Sequence, residues 1–508
     1  MKRKNCEKKF LKFQRQKNEN DESFLRLALL CFIIFVPAVF LSRNADAIPV
    51  FARKYQTACP TCHWATFPAL NPFGKAFKDN GYRFPEDDEV YVKESPIAFG
   101  GPAWKKVFPN AVWPSTIEHL PPVALLINSN FTINPKNSSG KTAFDGIGAV
   151  ELLTGGTLGE SLAWFGAVGL YENKGKTVES GTGSERFFGV YSPTLFERKG
   201  LVNIEFGRFE PRVTPRSEHL SIIGTTPYLF STWSILPTAN FTSFFPSQDG
   251  VEFFGGKNGP KGNGGFLWAA GIVNGEANDD SLGVWDGSDI NSGSTIVSNT
   301  KTQVQNAANP FDVNNSKDYY ARVSYKIGGM GVMGGGIVEE SKKATENWQE
   351  KSLTISSFFY RGNAGFFNNP VNGTGWHSSG NHFWRYGMEA DFYWWNFNLF
   401  GAATYFRDRT DSNVTIRDKS GRDFDADLYT AELRWVALPW VIPAVRFENM
   451  NPAYDVGDIK SFNRYSSDIT VLIRANVKFV IGAAFTDGSA PKSPFFDDAY
   501  RMGVLIGL

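Results

Sequence analysis

The sequence predicts an all-β protein: a transmembrane antiparallel β-barrel of 16 or 18 strands, plugged by a short helical segment at its N-terminus. Three observations predict it. From about Pro122 to Leu508, apolar and polar residues alternate in segments separated by Gly, Asn, Asp, Ser and Pro. The one long apolar run, Leu27 to Leu41, lies near the N-terminus, and the mean hydropathy of −0.26 excludes a bundle of membrane-spanning helices. Aromatic residues make up 15% of the chain, enough to furnish the girdles a barrel places at both lipid interfaces.

Residues 1–47 read as a secretory signal peptide. Lys2, Arg3, Lys4, Lys8, Lys9 and Arg26 precede the apolar run, and Ala45-Asp46-Ala47 follows it with small residues at the −3 and −1 positions of a cleavage site. Cleavage near Ala47 would leave a chain beginning Ile48-Pro49-Val50. An uncleaved anchor is the alternative, although 15 apolar residues are short for a span. The basic stretch is long, which leaves the true start codon open. Residues 1–47 hold ten basic and five acidic side chains, so 42 basic and 46 acidic residues remain, a net charge of −4. A nucleic-acid partner would call for a basic surface, and none is expected.

Of four cysteines, Cys6 and Cys31 belong to the export segment, so the exported chain keeps only Cys59 and Cys62. That pair makes no disulfide framework. Cys59-Pro60-Thr61-Cys62-His63 is instead a C-x-x-C-H motif, in which two thiols form thioethers to haem vinyl groups and the adjacent imidazole ligates the iron. A thioredoxin-like dithiol would want a βαβ setting, which is missing. A zinc site would need further ligands nearby, and the next histidine is His119. The expected cofactor is one covalently bound haem c, attached at Cys59 and Cys62 with His63 as proximal ligand. Downstream, Asn71 is a good N-cap and Pro72 suits the first helical position. Phe73, Ala76 and Phe77 would share a helix face turned to the haem plane, and Gly81 would close the helix. The segment from Ile48 to about Ser95 is too short to enclose a haem alone. The expected division is therefore residues 1–47 as signal peptide, 48–120 as the monohaem plug segment and 121–508 as barrel.

Within the barrel region the alternation is explicit. Trp384, Tyr386, Met388, Ala390, Phe392 and Trp394 occupy one parity, while Arg385, Gly387, Glu389, Asp391 and Tyr393 occupy the other. Tyr319 to Ile327, Tyr429 to Trp435 and Ile469 to Ala475 repeat the pattern. Period two means strands with one apolar and one polar face. A soluble sandwich would also produce it. Charged residues in mid-strand, such as Glu432 with Arg434 and Arg385 with Glu389, favour a barrel whose polar face lines a wet or plugged lumen. Tyr500 to Leu508 reads as a terminal strand like an outer-membrane assembly signal, with Leu in place of the usual terminal aromatic. Arg212–Ser247 is a candidate for a loop folded into the lumen, and Asn274–Ser316 for a long exposed loop.

Ile48-Pro49-Val50-Phe51-Ala52-Arg53-Lys54-Tyr55, the C-x-x-C-H motif, Phe67-Pro68-Ala69-Leu70-Asn71-Pro72-Phe73-Gly74 and Asn80-Gly81-Tyr82 resemble the opening of the fused outer-membrane cytochrome–porins, the iron oxidases of iron-oxidising bacteria. The close match covers about the first 40 residues after the export segment; the barrel matches in architecture and length. Related porin-like cytochromes of unknown role share this opening. The resemblance implies an outer-membrane location in a Gram-negative-type bacterium and a haem inside or at the mouth of the pore. That haem would take electrons from extracellular Fe(II) and pass them to a periplasmic carrier, a cytochrome or a cupredoxin.

The distal haem ligand stays open in the sequence. His219, within the candidate lumen loop, and His119, just ahead of the first strand, are the two candidates. Oxygen ligands for iron near the outer mouth could come from Asp279, Asp280, Asp286 and Asp289, or from Asp423, Asp425 and Asp427; charges in long loops are ordinarily just solvated. Two other function classes stand beside the iron oxidoreductase. One is a haem-containing porin or outward electron conduit without iron-oxidase activity. The other is a haem enzyme such as a peroxidase, against which the lack of a readable distal His-Arg pair weighs.

Overall fold

A computed structural model describes the backbone at residues 51, 55, 61–64, 66–83, 97–98, 116–117, 123–135, 141–158, 161–173, 178–195, 200–213, 228–230, 247–274, 317–334, 349–363, 366–367, 376–377, 382–409, 415–416, 419–420, 423–452, 461–474, 477–490 and 497–507. Sixteen antiparallel strands close into a barrel. They are β1 Val123–Ile133, β2 Ala149–Leu158, β3 Leu162–Asn173, β4 Val178–Tyr191, β5 Asn203–Phe209, β6 Gln248–Asn258, β7 Asn263–Val273 and β8 Asp318–Met330. The second half comprises β9 Glu350–Asn363, β10 His382–Trp395, β11 Phe397–Arg409, β12 Asp423–Trp435, β13 Val441–Pro452, β14 Phe462–Arg474, β15 Val477–Gly488 and β16 Ala499–Gly507. A short strand, Thr142–Phe144, pairs with the end of β1 before β2 takes over its remaining length. Of the two predicted strand numbers, 16 is the one observed.

Closure joins the last strand to the first, with Tyr500 opposite Ile133 and Gly507 opposite Leu126. No edge is left unpaired, as a lipid environment demands of β-structure. Alternation decides what each face meets. Along β10 the odd positions from Phe383 to Tyr393 point inward, and Arg385, Glu389 and Asp391 are buried there. The even positions point out, with Met388 61% and Trp394 50% exposed. The outward face repeats this with Val323, Ile327, Leu399, Val445 and Ile469. Covering such a side chain is worth about 1.5–3 kcal/mol, so a belt of them is stable only against lipid. The inward face holds Arg434 at 1% and Arg464 at 1% exposure. This arrangement, inside-out relative to a soluble protein, makes the chain a porin-like outer-membrane β-barrel.

The two ends differ. Several connections at one end span only a few residues, as at 396, 436–440 and 475–476, whereas the other end carries 134–148, 210–247, 274–317 and 364–381. Short turns face the periplasm in such barrels and long loops face outward. Trp394, Trp395 and Phe397 at one short turn, with Trp435 and Trp440 at the next, form an exposed aromatic girdle, and Lys351 lies over the rings of Trp394 and Trp395 at 4.9 and 4.6 Å.

Candidate functional site

The N-terminal segment is held inside the barrel near its short-turn end. His63–Trp64 pairs with Thr66–Leu70 as a small antiparallel ribbon, with His63 opposite Leu70. Helix α1, Pro72–Asp79, follows at once. Asn71, fully buried, organises the junction. Its side-chain oxygen accepts from the Gly74 N–H at 2.8 Å, which is the N-cap bond. Its amide nitrogen donates to the carbonyls of Thr61 at 3.0 Å and His63 at 3.1 Å, and its backbone N–H donates to the Cys62 carbonyl at 2.9 Å. Three consecutive carbonyls of the motif are thus bound by one residue. Gly74 permits the contact, because a Cβ there would overlap the Cys62 carbonyl oxygen.

The other end of α1 closes as the sequence predicts. Gly81, at φ +73°, donates to the Lys78 carbonyl at 3.1 Å, and the Tyr82 N–H reaches the Phe77 carbonyl at 2.9 Å. This is a Schellman cap, whose customary apolar contact is supplied by the Phe77 and Tyr82 rings at 6.2 Å.

Phe73, Ala76 and Phe77 fall within about 100° of one another around α1, and this face of the helix meets two different surroundings. Phe77 packs edge-on against Phe51 at 5.3 Å and Tyr55 at 5.8 Å. Tyr82 stacks on Phe51 at 5.4 Å and on the wall residue Phe165 at 6.2 Å, with Phe188 beside them. Burial pushes the Tyr82 phenol pKa well above its ordinary value, so it stays protonated. Ala76, one residue or about 100° further around the helix, lines a cavity of about 150 Å³ between α1 and the wall from β6 to β10.

Side chains tie α1 to that wall. Lys75 Nζ lies 2.8 Å from Asp391 Oδ2 and 3.2 Å from the Tyr393 hydroxyl. Arg212, just past β5, pairs with Glu205 and Glu252, and lies 3.4 Å from Asp79. Burial alone would lower the Arg212 pKa, but Glu205, Glu252 and Asp79 hold it well above the ordinary value. Arg83 donates to the carbonyl of Leu162, the first residue of β3. Ala69 packs in a cluster with Tyr393, Val436, Ile442 and Ala444. Asp391, Tyr393 and Leu162 lie toward the short-turn end of their strands, while Glu252 stands at mid-strand.

Among the predicted site residues, the structure brings Cys62 and His63 together on the Asn71 frame, both half-buried. A thiol and an imidazole side by side on backbone fixed by a buried residue suit a covalently attached haem. Cys59, His119 and His219 lie outside the described residues, as do Asp279, Asp280, Asp286 and Asp289. Asp425 and Asp427 share the outward parity of Tyr429 rather than the inward parity of Leu428, and Asp425 is 3.5 Å from Arg407; that acidic group does not line the lumen. Among the described residues, no group of three or more His, Cys, Asp or Glu is arranged to hold a metal ion.

The predicted lumen loop does enter the barrel where it is described. The Tyr228 hydroxyl donates to Glu432 at 2.6 Å, Arg434 donates to Tyr228 at 3.0 Å, and Leu229 N–H donates to Glu448 at 2.7 Å. Phe230 stacks on Tyr228 at 4.7 Å, while Arg446 covers the Tyr228 ring at 4.0 Å. Glu432 pairs with Arg434 as the sequence suggests. Glu389, expected beside Arg385, has Arg322 of β8 as a partner at 2.9 Å, and Arg385 lies against the rings of Phe383 and Phe406.

No protein-family model matches the chain, and no curated protein matches it in sequence. Among solved structures it is similar to an anion-selective porin from Comamonas acidovorans, at 11% identity over 76% of this chain and 97% of that one, with a TM-score of 0.44. OmpT, an outer-membrane protein of Vibrio cholerae, is 9% identical over 76% and 96%, TM-score 0.42. OprB of Pseudomonas putida is 11% identical over 76% and 92%, TM-score 0.43. The barrel assignment rests on the closed strand ladder and its two faces.

Proposed function

We propose that this barrel is an outer-membrane c-type cytochrome–porin that oxidises extracellular Fe(II) and delivers the electron to a periplasmic cytochrome or cupredoxin. The observation that carries the reading is the C-x-x-C-H motif beside a helix that blocks part of the lumen, its carbonyls bound by buried Asn71. Export is served by residues 1–47, with cleavage near Ala47. Cys59 and Cys62 would hold the haem and His63 would be its proximal ligand; the distal position falls to His219 or His119. A haem bound there supplies one-electron redox chemistry, ferrous iron losing an electron and the oxidised carrier gaining it.

The chain's own residues perform the rest. Asn71 keeps the motif's backbone in one shape, so the thiol and imidazole are presented together. The Phe51–Phe77–Tyr82–Phe165 cluster packs the helix onto the wall and excludes water from that side. Lys75 with Asp391, and Arg212 with Glu205, Glu252 and Asp79, lock α1 against displacement by flow. An open pore would admit iron to the periplasm, where ferric products precipitate. A plug that conducts electrons leaves the metal outside.

The test is an anaerobic optical titration of the purified ferric protein with ferrous iron. Prompt appearance of a reduced c-type spectrum is the expected result. A haem reduced by dithionite but not by ferrous iron would shift the assignment to a haem-containing porin or outward conduit. A protein with no haem spectrum would overturn the proposal.

A further inference from the structure

We infer that the haem macrocycle lies against the lumen face of the strands from β13 through β16 and β1 to β2, at the short-turn end, with a propionate on Lys478. This rests on the haem reading above. Six consecutive strands around the barrel closure each turn an apolar side chain inward there: Ile442, Leu472, Val480, Leu505, Leu126 and Leu153. The ladders fix that direction. Lys478 stands opposite Leu472 on one side and Leu505 on the other, all on the inward parity, while Ile469, Ile481 and Val123 of the other parity are exposed to the outside. Leu472, Leu505, Leu126 and Leu153 are only half-buried, although apolar surface facing a wet lumen gains by being covered. Neighbouring strands lie about 4.8 Å apart, so six of them offer about 24 Å of wall, ample for one porphyrin. The opposite wall is of another kind. It puts Lys326, Glu350 and Asp391 at the same end, and the charged cavity between it and α1 is lined by neither Cys62 nor His63.

The motif belongs to the apolar side by its flanks. Before it in sequence, Phe51 lies against Gly155 of β2. After it, Ala69 packs on Ile442 and Ala444 of β13, with Leu472 of β14 beside them. The shorter way round the barrel between those two anchors runs through β14, β15, β16 and β1, which is the apolar sector. Within it Lys478 is the exception. Its side chain is buried at 7% exposure, and among the described residues it has no hydrogen-bond or ion-pair partner. A buried ammonium without a partner is costly, and haem carries two propionate carboxylates that would pair with it. An apolar wall with one placed charge is the usual lining of a cofactor site.

Two measurements on full-length, haem-bearing barrels test this. Lys478→Gln removes a cation beside the propionate, which should lower the midpoint potential, whereas Lys78→Gln, on the charged side of α1, should keep the wild-type value. Nitroxide labels on Leu126→Cys and on Thr354→Cys of the opposite wall read position directly. Ferric haem should speed relaxation of the Leu126→Cys label more than that of the Thr354→Cys label. Equal relaxation, or the reverse order, would place the macrocycle elsewhere and overturn the inference. A wild-type potential in Lys478→Gln would overturn the propionate pairing. Both results leave the cytochrome reading standing, and if Lys478→Gln does not assemble, the two labels decide alone. A wild type without haem would overturn both readings.

Discussion

The barrel wall and the plug it surrounds are built on opposite principles. The wall follows a rule applied many times: apolar outward, polar inward, period two, over 16 strands. No single outward residue among Val323, Leu399 or Ile469 is indispensable, because each contributes one small share of a belt. The plug follows no repeat. Its shape depends on Asn71 binding three carbonyls, Gly74 leaving space for the Cys62 carbonyl among them, and Gly81 turning the helix off. A structure spread over many equivalent contacts tolerates substitution; one that depends on three residues does not.

Four substitutions probe that contrast, in descending order of effect. Gly74→Val puts a branched side chain onto the Cys62 carbonyl and should cost the plug several kcal/mol, on the order of the larger overpacking penalties. The barrel should still form, seen as heat-modifiable gel mobility, while residues 61–83 lose protection in hydrogen exchange. If protection survives, the plug is held by the wall and not by its own frame. Ile469→Arg places a charge in the lipid-facing belt and should destabilise the barrel by about 2–4 kcal/mol near the midplane, measured by denaturant unfolding in vesicles. A change near zero would mean that this face meets water or protein. Asn71→Ala removes the N-cap, a loss of about 1–2 kcal/mol. It should raise exchange at Gly74 and the motif with no change in barrel stability. Tyr228→Phe removes the hydroxyl between Glu432 and Arg434 and should cost about 1 kcal/mol, felt as earlier loosening of the lumen loop.

The contrast also explains what could be read without coordinates. Strand parity was legible because period two is local: Met388 and Glu389 are assigned to opposite faces by sequence neighbours alone. The caps of α1 were legible because Asn-Pro and Asn-Gly carry their own backbone preferences. The direction each helix face points was not. Phe73, Ala76 and Phe77 look like one apolar stripe, but which neighbour fills the space beside each depends on where the wall stands.

Ion-pair partners were equally hidden. Lys75 and Asp391 are 316 positions apart, and Tyr228 and Glu432 are 204 apart. Such pairs exist only after closure fixes the register of every strand and the plug is placed within it. Glu389 makes the same point on a smaller scale: its neighbour in sequence is Arg385, while Arg322, two strands away, forms an ion pair with it at 2.9 Å.

By itself, then, the sequence determined the strand pattern, the membrane-facing side of the wall, the helix and its caps, and a thiol–imidazole motif whose chemistry resides in adjacent residues. These are properties of short stretches, set by periodicity and backbone preference. The tertiary structure alone decided the count of 16, the seating of the plug at the short-turn end, the cavity on one side of α1 and the pairing of lumen charges. Each depends on bringing distant segments to one place, and the closure of the barrel does that.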